Sequence, residues 1–124
     1  MAAPNIVNVT SIVGITTFVS NINAAGTSVI ISNPASSNSV YKINTLLASN
    51  TTGTSANITV DYCGQAAGAG TVVSIGTTIV VPSGSTLALI GKDTPLYLEE
   101  DRSIIAQAGT ANSIDILASY EIIS

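Results

Sequence analysis

The stretch SIDILASYEI, residues 113–122, shows most clearly how this chain folds. Apolar or aromatic side chains stand at every second position, namely Ile114, Ile116, Ala118, Tyr120 and Ile122. Polar side chains fill the positions between them, except at Leu117. Successive side chains of a strand point to opposite faces, so this alternation predicts a β-strand with one buried face. Residues 56–62, ANITVDY, repeat the pattern.

The rest of the chain predicts more short strands and almost no helix. Val, Ile and Thr recur in short runs between Gly, Asn, Ser and Pro, which is typical of strands joined by turns. The connections are too short for the crossovers of a parallel sheet. We therefore predict an all-β fold of about eight to ten antiparallel strands, stacked as a two-sheet β-sandwich of jelly-roll or immunoglobulin-like topology. The further predicted strands cover residues 12–19, 27–32, 40–48, 71–75, 77–81, 86–90, 96–98 and 103–108.

The length of 124 residues predicts one domain. We expect residues 6–124 to form a single β-sandwich domain and residues 1–5 to form an N-terminal arm, because Pro4 and Asn5 precede any strand signal. The segment GQAAGAG, residues 64–70, has the composition of a flexible connection.

Charged residues are unusually scarce. Three Lys and Arg with seven Asp and Glu make 8% of the chain, against about 25% in an ordinary soluble domain. A surface so poor in charge suits permanent interfaces, whose centres are depleted in charged residues. With three basic residues and a net charge of −4, the chain is not expected to bind nucleic acid or an anionic membrane.

The residue types also argue against catalysis. Histidine is absent, which removes the commonest general base and the Ser-His-Asp and Cys-His arrangements. Cys63 is the only cysteine, so it cannot close an intrachain disulfide, and no basic neighbour in the sequence would activate it. We expect no enzymatic activity, no cofactor and no metal.

One acidic group leaves alternatives open. Glu99, Glu100 and Asp101 are consecutive, and Asp93 lies a short loop away. Such oxygen ligands could bind Ca²⁺, and two carboxylates could act as a glycosidase pair. A run of charges is ordinarily a solvated turn, which is the favoured interpretation. The rival to a structural role is a glycan- or receptor-binding module of a fibre or adhesin, with Ca²⁺ at Asp93, Glu99 and Asp101.

Several segments resemble a known group of proteins. These are NITVDY at 57–62, the Pro-Ser-Gly turn at 82–84, the acidic turn at 99–101, the closing Ser-Tyr-Glu at 119–121 and the opening residues 1–18. Together they resemble the small β-sandwich virion proteins of tailed bacteriophages, especially those infecting marine cyanobacteria. The resemblance implies a multi-copy virion structural protein, such as a capsid decoration, neck or tail component. It also implies synthesis in the host cytoplasm and a final location in the virion.

The predicted partners are further copies of the chain and other virion proteins. Symmetric virion positions favour a homo-oligomer, with a trimer or hexamer plausible. We predict the partner interface at Pro4, Ile6, Val7 and Val9, because these residues lie beside a chain end where strand addition to a neighbour is easiest.

Overall fold

The computed structural model describes residues 9–124 and contains nine strands and one short 3₁₀ turn. The strands are β1 (Ile12–Val19), β2 (Ser28–Asn33), β3 (Val40–Asn50), β4 (Ala56–Cys63), β5 (Val72–Val81), β6 (Thr86–Ile90), β7 (Leu96–Leu98), β8 (Arg102–Ala108) and β9 (Ile114–Ile123). The 3₁₀ turn covers Ala66–Gly68. Within these residues no helix is long and apolar enough to cross a membrane.

The strands form two antiparallel sheets, which confirms the predicted two-sheet sandwich. Sheet A has the order β1-β9-β3-β6, and β7 also pairs with β3; sheet B has the order β2-β8-β4-β5. The pairs are nested, since β1 pairs with β9, β2 with β8, β3 with β6 and β4 with β5. Nested antiparallel pairs distributed over two sheets are the jelly-roll arrangement. The topology is therefore jelly-roll, not immunoglobulin-like.

The two sheets end at the same two sides of the sandwich. On one side β1 of sheet A contacts β2 of sheet B, and we call this the β1–β2 edge. On the other side β5 of sheet B contacts β6 of sheet A, and we call this the β5–β6 edge. The short strand β7 also lies at the second edge, because it pairs with the half of β3 that β6 leaves free.

The strand positions follow the predicted ones closely, with one error. Residues 71–75 and 77–81 were predicted as separate strands, yet β5 is continuous from Val72 to Val81. Its pairing with β4 shifts between Gly76, opposite Val60, and Ile79, opposite Ile58. This leaves one extra residue on β5, a β-bulge in which Thr78 has a φ of 50°, so the break in the alternation bends the strand without ending it.

The core lies between the sheets and is built from the central strands. Ile43, Leu46, Ile58, Ile104 and Ile116 are fully or almost fully buried there. Burying each such side chain contributes about 1.5–3 kcal/mol relative to leaving it in water. The alternation predicted for residues 56–62 and 113–122 is confirmed at the core positions Ile58, Val60, Ile114, Ile116 and Ala118.

Two buried asparagines join the sheets by hydrogen bonds. Asn33, at the end of β2, donates through Nδ2 to the carbonyls of Ser39 at 2.9 Å and Leu98 at 3.0 Å. Asn50, at the end of β3, donates through Nδ2 to the carbonyls of Thr54 at 2.7 Å and Val81 at 2.9 Å. Each side chain thus links one sheet to the other, Asn33 through the Leu98 carbonyl and Asn50 through the Val81 carbonyl.

The prediction of a flexible connection at residues 64–70 is wrong. The N–H groups of Ala66, Ala67 and Gly68 donate to Asp101 Oδ1 at 3.0 Å, Ser32 Oγ at 2.9 Å and Ser103 Oγ at 2.8 Å. Because these acceptors lie on sheet B and at its end, the segment is held as a cap over the outer face of that sheet. Small residues are needed for the close approach, since a Cβ on Gly68 would stand 3.1 Å from Ile105 Cγ2.

Replacing Gly70 should destabilise this cap. Gly70 has a φ of 81°, and an added Cβ would lie 2.9 Å from Gln65 Cγ and 3.0 Å from the Gln65 backbone nitrogen. We expect Gly70→Ala to lower the free energy of unfolding by about 1–3 kcal/mol, measured by urea denaturation. Gly53→Ala is the control, because nothing lies within 4 Å of its added Cβ and its φ is not in the left-handed region. Equal stability of the two variants would contradict the rigid cap.

Candidate assembly interface

The edge strands of the sandwich carry no charged side chain. No Asp, Glu, Lys or Arg occurs in residues 1–41 or in residues 64–91. These two runs contain β1, β2, β5 and β6, and β7 carries no charged residue either. All the edge strands are therefore uncharged, although a charged side chain is one of the commonest devices that keep edge strands from pairing with other molecules.

The ten charged residues lie on central strands, on turns and at one strand terminus. Lys42, Asp61, Asp115 and Glu121 belong to β3, β4 and β9, which have a neighbouring strand on each side. The other six form a short stretch of chain around β7: Lys92, Asp93, Glu99, Glu100, Asp101 and Arg102. The charged residues thus lie on the central strands and around β7, and the edge strands themselves are neutral.

Exposed apolar side chains show the opposite distribution. In the described part of the chain, nine large apolar side chains are exposed, and eight of them lie on edge strands. They are Ile12, Val13 and Phe18 on β1, Val29 on β2, Val72, Val73 and Val80 on β5, and Tyr97 on β7. Only Leu117 lies on a central strand. Neutral edges that also carry apolar side chains have the character of an interface.

An apolar row crosses the outer face of sheet A. Phe18 is in register with Leu117, Leu117 with Leu47, and Leu47 with Ala88. The rows beside it are mainly polar: Thr16 pairs with Ser119 on one side, and Ser49 Oγ and Thr86 Oγ1 are hydrogen-bonded at 2.9 Å on the other. Phe18 stands at the β1 end of this row and is 72% exposed.

An apolar pocket opens at the β5–β6 edge beside β7. It has a volume of about 400 Å³ and is lined by Tyr62, Val73, Ser74, Ile75, Leu96 and Tyr97. Tyr62 forms part of its wall, and burial is the main reason why the pKa of its phenol is raised; the charge of nearby Arg102 partly opposes this. Apart from Ser74 and the two tyrosine hydroxyls, the side chains that line the pocket are apolar.

The acidic group divides in the structure. Asp93 and Glu99 are exposed, whereas Glu100 is 2% exposed and its Oε1 has no hydrogen-bond partner. Asp101 holds the cap through its bond to the Ala66 N–H, so its role is structural. Within residues 9–124 no three His, Cys, Asp or Glu side chains are grouped as metal ligands. The predicted solvated turn describes Asp93 and Glu99 but not the buried Glu100.

The predicted contact residues fall mostly outside the described residues. Pro4, Ile6 and Val7 lie there, as does the predicted arm of residues 1–5. Val9 is half-buried and precedes β1 without belonging to a strand. The next two residues are fixed, because the N–H groups of Thr10 and Ser11 donate to the Ser124 carbonyl at 2.7 and 3.0 Å. The contact predicted at residues 4–9 therefore leads directly into the uncharged strand β1.

The sequence analysis did not predict that the edge strands would be the uncharged ones. The two uncharged runs are visible in the sequence, but their meaning depends on which strands end the sheets. That order comes from pairings between distant segments, such as β1 with β9. The pocket was missed for the same reason, since its walls come from β4, β5 and β7.

No protein-family model matches this chain, and no curated protein matches it. Among solved structures, it is similar to a chain from the Bacillus endospore appendages, which are described as a novel family of disulfide-linked pili. The two chains share 22% sequence identity with a TM-score of 0.50, over 91% of this chain and 87% of the other. At that identity the likeness is one of fold.

Cys63 allows a test of whether a disulfide could join copies of this chain. It is free and completely buried, at the end of β4 where the cap begins. A buried thiol is shielded from oxidants and from partner thiols. We expect the native protein to react with a thiol reagent at least tenfold more slowly than the urea-unfolded protein, and to stay monomeric on a non-reducing denaturing gel after oxidation. Rapid disulfide dimerisation of the folded protein would contradict this.

Proposed function

We propose that this chain is a non-enzymatic structural subunit that assembles with copies of itself through the edges of its sandwich. The observation that carries the proposal is the absence of charged side chains from every edge strand, together with the exposed apolar side chains there. Edge strands present unpaired N–H and C=O groups, and long uncharged ones such as β1 and β5 readily pair with another chain.

The fold likeness supports a structural role. The similar chain belongs to appendages described as pili, and it shares this architecture over most of both chains. A sandwich of this kind can thus serve as a building unit of an extended assembly. We infer from this that the present chain also contributes shape and contact area, without catalysis and without a cofactor.

The more specific proposal is a virion component of a tailed bacteriophage, either a capsid decoration protein or a neck or tail part. It is supported by the resemblance at residues 57–62, 82–84, 99–101 and 119–121. In this proposal the chain is made in the host cytoplasm and resides in the virion. Its partners are its own copies, as a trimer or hexamer, and other virion proteins, and it binds neither nucleic acid nor membrane.

Within this proposal, residues 6–124 form the sandwich domain and residues 1–5 an arm that contacts a neighbour, together with Ile6, Val7 and Val9. The bonds of Thr10 and Ser11 to the Ser124 carbonyl anchor the chain just before β1. The first eight residues can therefore reach another subunit from the β1–β2 edge. Extended, they would span at most about 29 Å.

A charge placed on an edge should weaken assembly. Val80 lies on β5, is 58% exposed and pairs with Asn57 on the central strand β4. We expect Val80→Lys to weaken self-association at least tenfold, measured by sedimentation velocity across a concentration series, because burying an unpaired ammonium in an interface is costly. Asn57→Lys is the matched control on the same face, one strand inward, and should associate within about threefold of the unmodified chain. Unchanged association of Val80→Lys would contradict the edge interface.

Removing the first eight residues tests the contact predicted at the N-terminus. The truncated chain keeps Thr10, Ser11 and their bonds to Ser124. We expect it to retain its thermal unfolding midpoint within a few degrees, because it keeps every core residue that the structure describes, and to lose most of its self-association in the same sedimentation experiment. Full assembly of the truncated chain would show that the arm is not a contact.

A further inference from the structure

We propose that the pocket at the β5–β6 edge receives the Phe18 side chain of a second copy of this chain. The inference rests on the proposed function, because it names one contact by which copies join. Each copy carries both halves of this contact, since Phe18 and the pocket lie at opposite edges of the sandwich.

The pocket lies where the hydrophobic core reaches the β5–β6 edge and is exposed to solvent. Val73 is in register with Tyr62, which is in register with the buried core residue Ile104, so all three side chains share the inner face of sheet B. Leu96 is in register with buried Ile43 and lies on the inner face of sheet A. The core continues to this edge, but β7 has only three residues and does not close it. Val73 is consequently 60% exposed.

Phe18 is the most exposed large apolar side chain of the described residues. It is also the only phenylalanine in the chain. Its cross-strand neighbour Leu117, and Leu47 on the strand beyond, continue the apolar surface across the outer face of sheet A. An exposed aromatic ring beside an uncharged edge strand is the kind of residue that dominates binding energy at interfaces.

Charge and size fit the pairing. Neither β1 nor β5 carries a charged residue, so the two strands that would seat Phe18 between Val73 and Ile75 bring no charge of their own into the contact. The nearest charges are those of Arg102 and Glu99 beside Tyr62. A volume of about 400 Å³ is large enough for one aromatic side chain. A buried aromatic residue covers about 150–250 Å², against about 800 Å² per partner in a stable interface. Phe18 is thus the anchor of the contact, and the flanking edge strands supply the remaining area.

The position of the two halves determines the kind of assembly. A contact between different surfaces of identical subunits is heterologous, and it makes a ring when the rotation closes and a filament when it does not. Rings of three or six copies, as proposed above, are of this kind. A twofold dimer is not heterologous, because it joins the same surface patch of both subunits.

A second copy fits the pocket better than a sugar does. Ser74 contributes one hydroxyl, and the tyrosines provide the only other side-chain polar groups on the wall. Sugars need several directed hydrogen bonds, which this wall does not offer. An apolar side chain on a neighbouring subunit needs none.

The first experiment compares Phe18→Ala with Val80→Ala by sedimentation velocity. Val80 is also exposed and apolar, but it lies outside the pocket, towards the far end of β5. We expect Phe18→Ala to weaken self-association at least tenfold and Val80→Ala to change it less than threefold, with both variants folded by circular dichroism. If Phe18→Ala assembles like the unmodified chain, this inference is overturned and the proposed function stands. If the unmodified chain is itself monomeric, both fail.

The second experiment locates the contact by cross-linking. A Thr16→Cys chain, which keeps Phe18 and carries the thiol two residues away on the same face of β1, is mixed with a Val73→Cys chain of distinguishable mass and oxidised. The two positions cannot bridge within one molecule, because β1 and β5 lie at opposite edges and a disulfide needs Cα atoms within about 7 Å. We expect a disulfide-linked heterodimer, and much less when Val80→Cys replaces Val73→Cys. Equal yields from the two pairs would overturn the inference, as would a small aromatic compound or sugar that binds the pocket of a chain that remains monomeric.

Discussion

Peptide groups at the edges of a β-sheet have no hydrogen-bond partner within the sheet. The proposed role of this chain depends on which side chains its edge strands carry. The outer strands of this sandwich are β1 and β2 on one side and β5, β6 and the short β7 on the other. Charged side chains often guard such strands against pairing with other molecules. This chain places its ten charged residues elsewhere and leaves Phe18, Val73 and Val80 exposed at the edges. Covering such edges with another subunit removes their apolar side chains from water, which favours association.

The centre of the sandwich supplies the rigidity that such a building unit needs. Fully buried isoleucines fill the space between sheets A and B, and Asn33 and Asn50 join the two sheets through hydrogen bonds to buried carbonyls. The cap at residues 64–70 covers the outer face of sheet B and encloses Cys63. These features give fixed surfaces at both edges. A fixed surface loses little conformational entropy when it is bound, which favours assembly.

The sequence predicts the strands well and their arrangement poorly, for a physical reason. Alternation at 56–62 and 113–122 reports the two faces of a single strand, and the structure confirms burial at Ala56, Ile58, Val60, Ile114, Ile116 and Ala118. Ile122 is only partly buried, and Ser113, predicted on the polar face, is buried. Which strands end each sheet depends on pairings between distant segments, such as Ile12 with Ile123, and no local pattern reports those. The cap shows a different failure. Its Gly- and Ala-rich composition predicts flexibility, but side chains on β2, on β8 and in the turn before β8 supply the acceptors that fix its backbone.

The central claim is that this chain works in association with its own copies. The most direct test is the mass of the purified chain in solution, measured by sedimentation velocity from low to high micromolar concentration. The account predicts a concentration-dependent shift from the 12.5 kDa chain to discrete multiples of that mass. A folded particle that stays at 12.5 kDa over the whole range would contradict it.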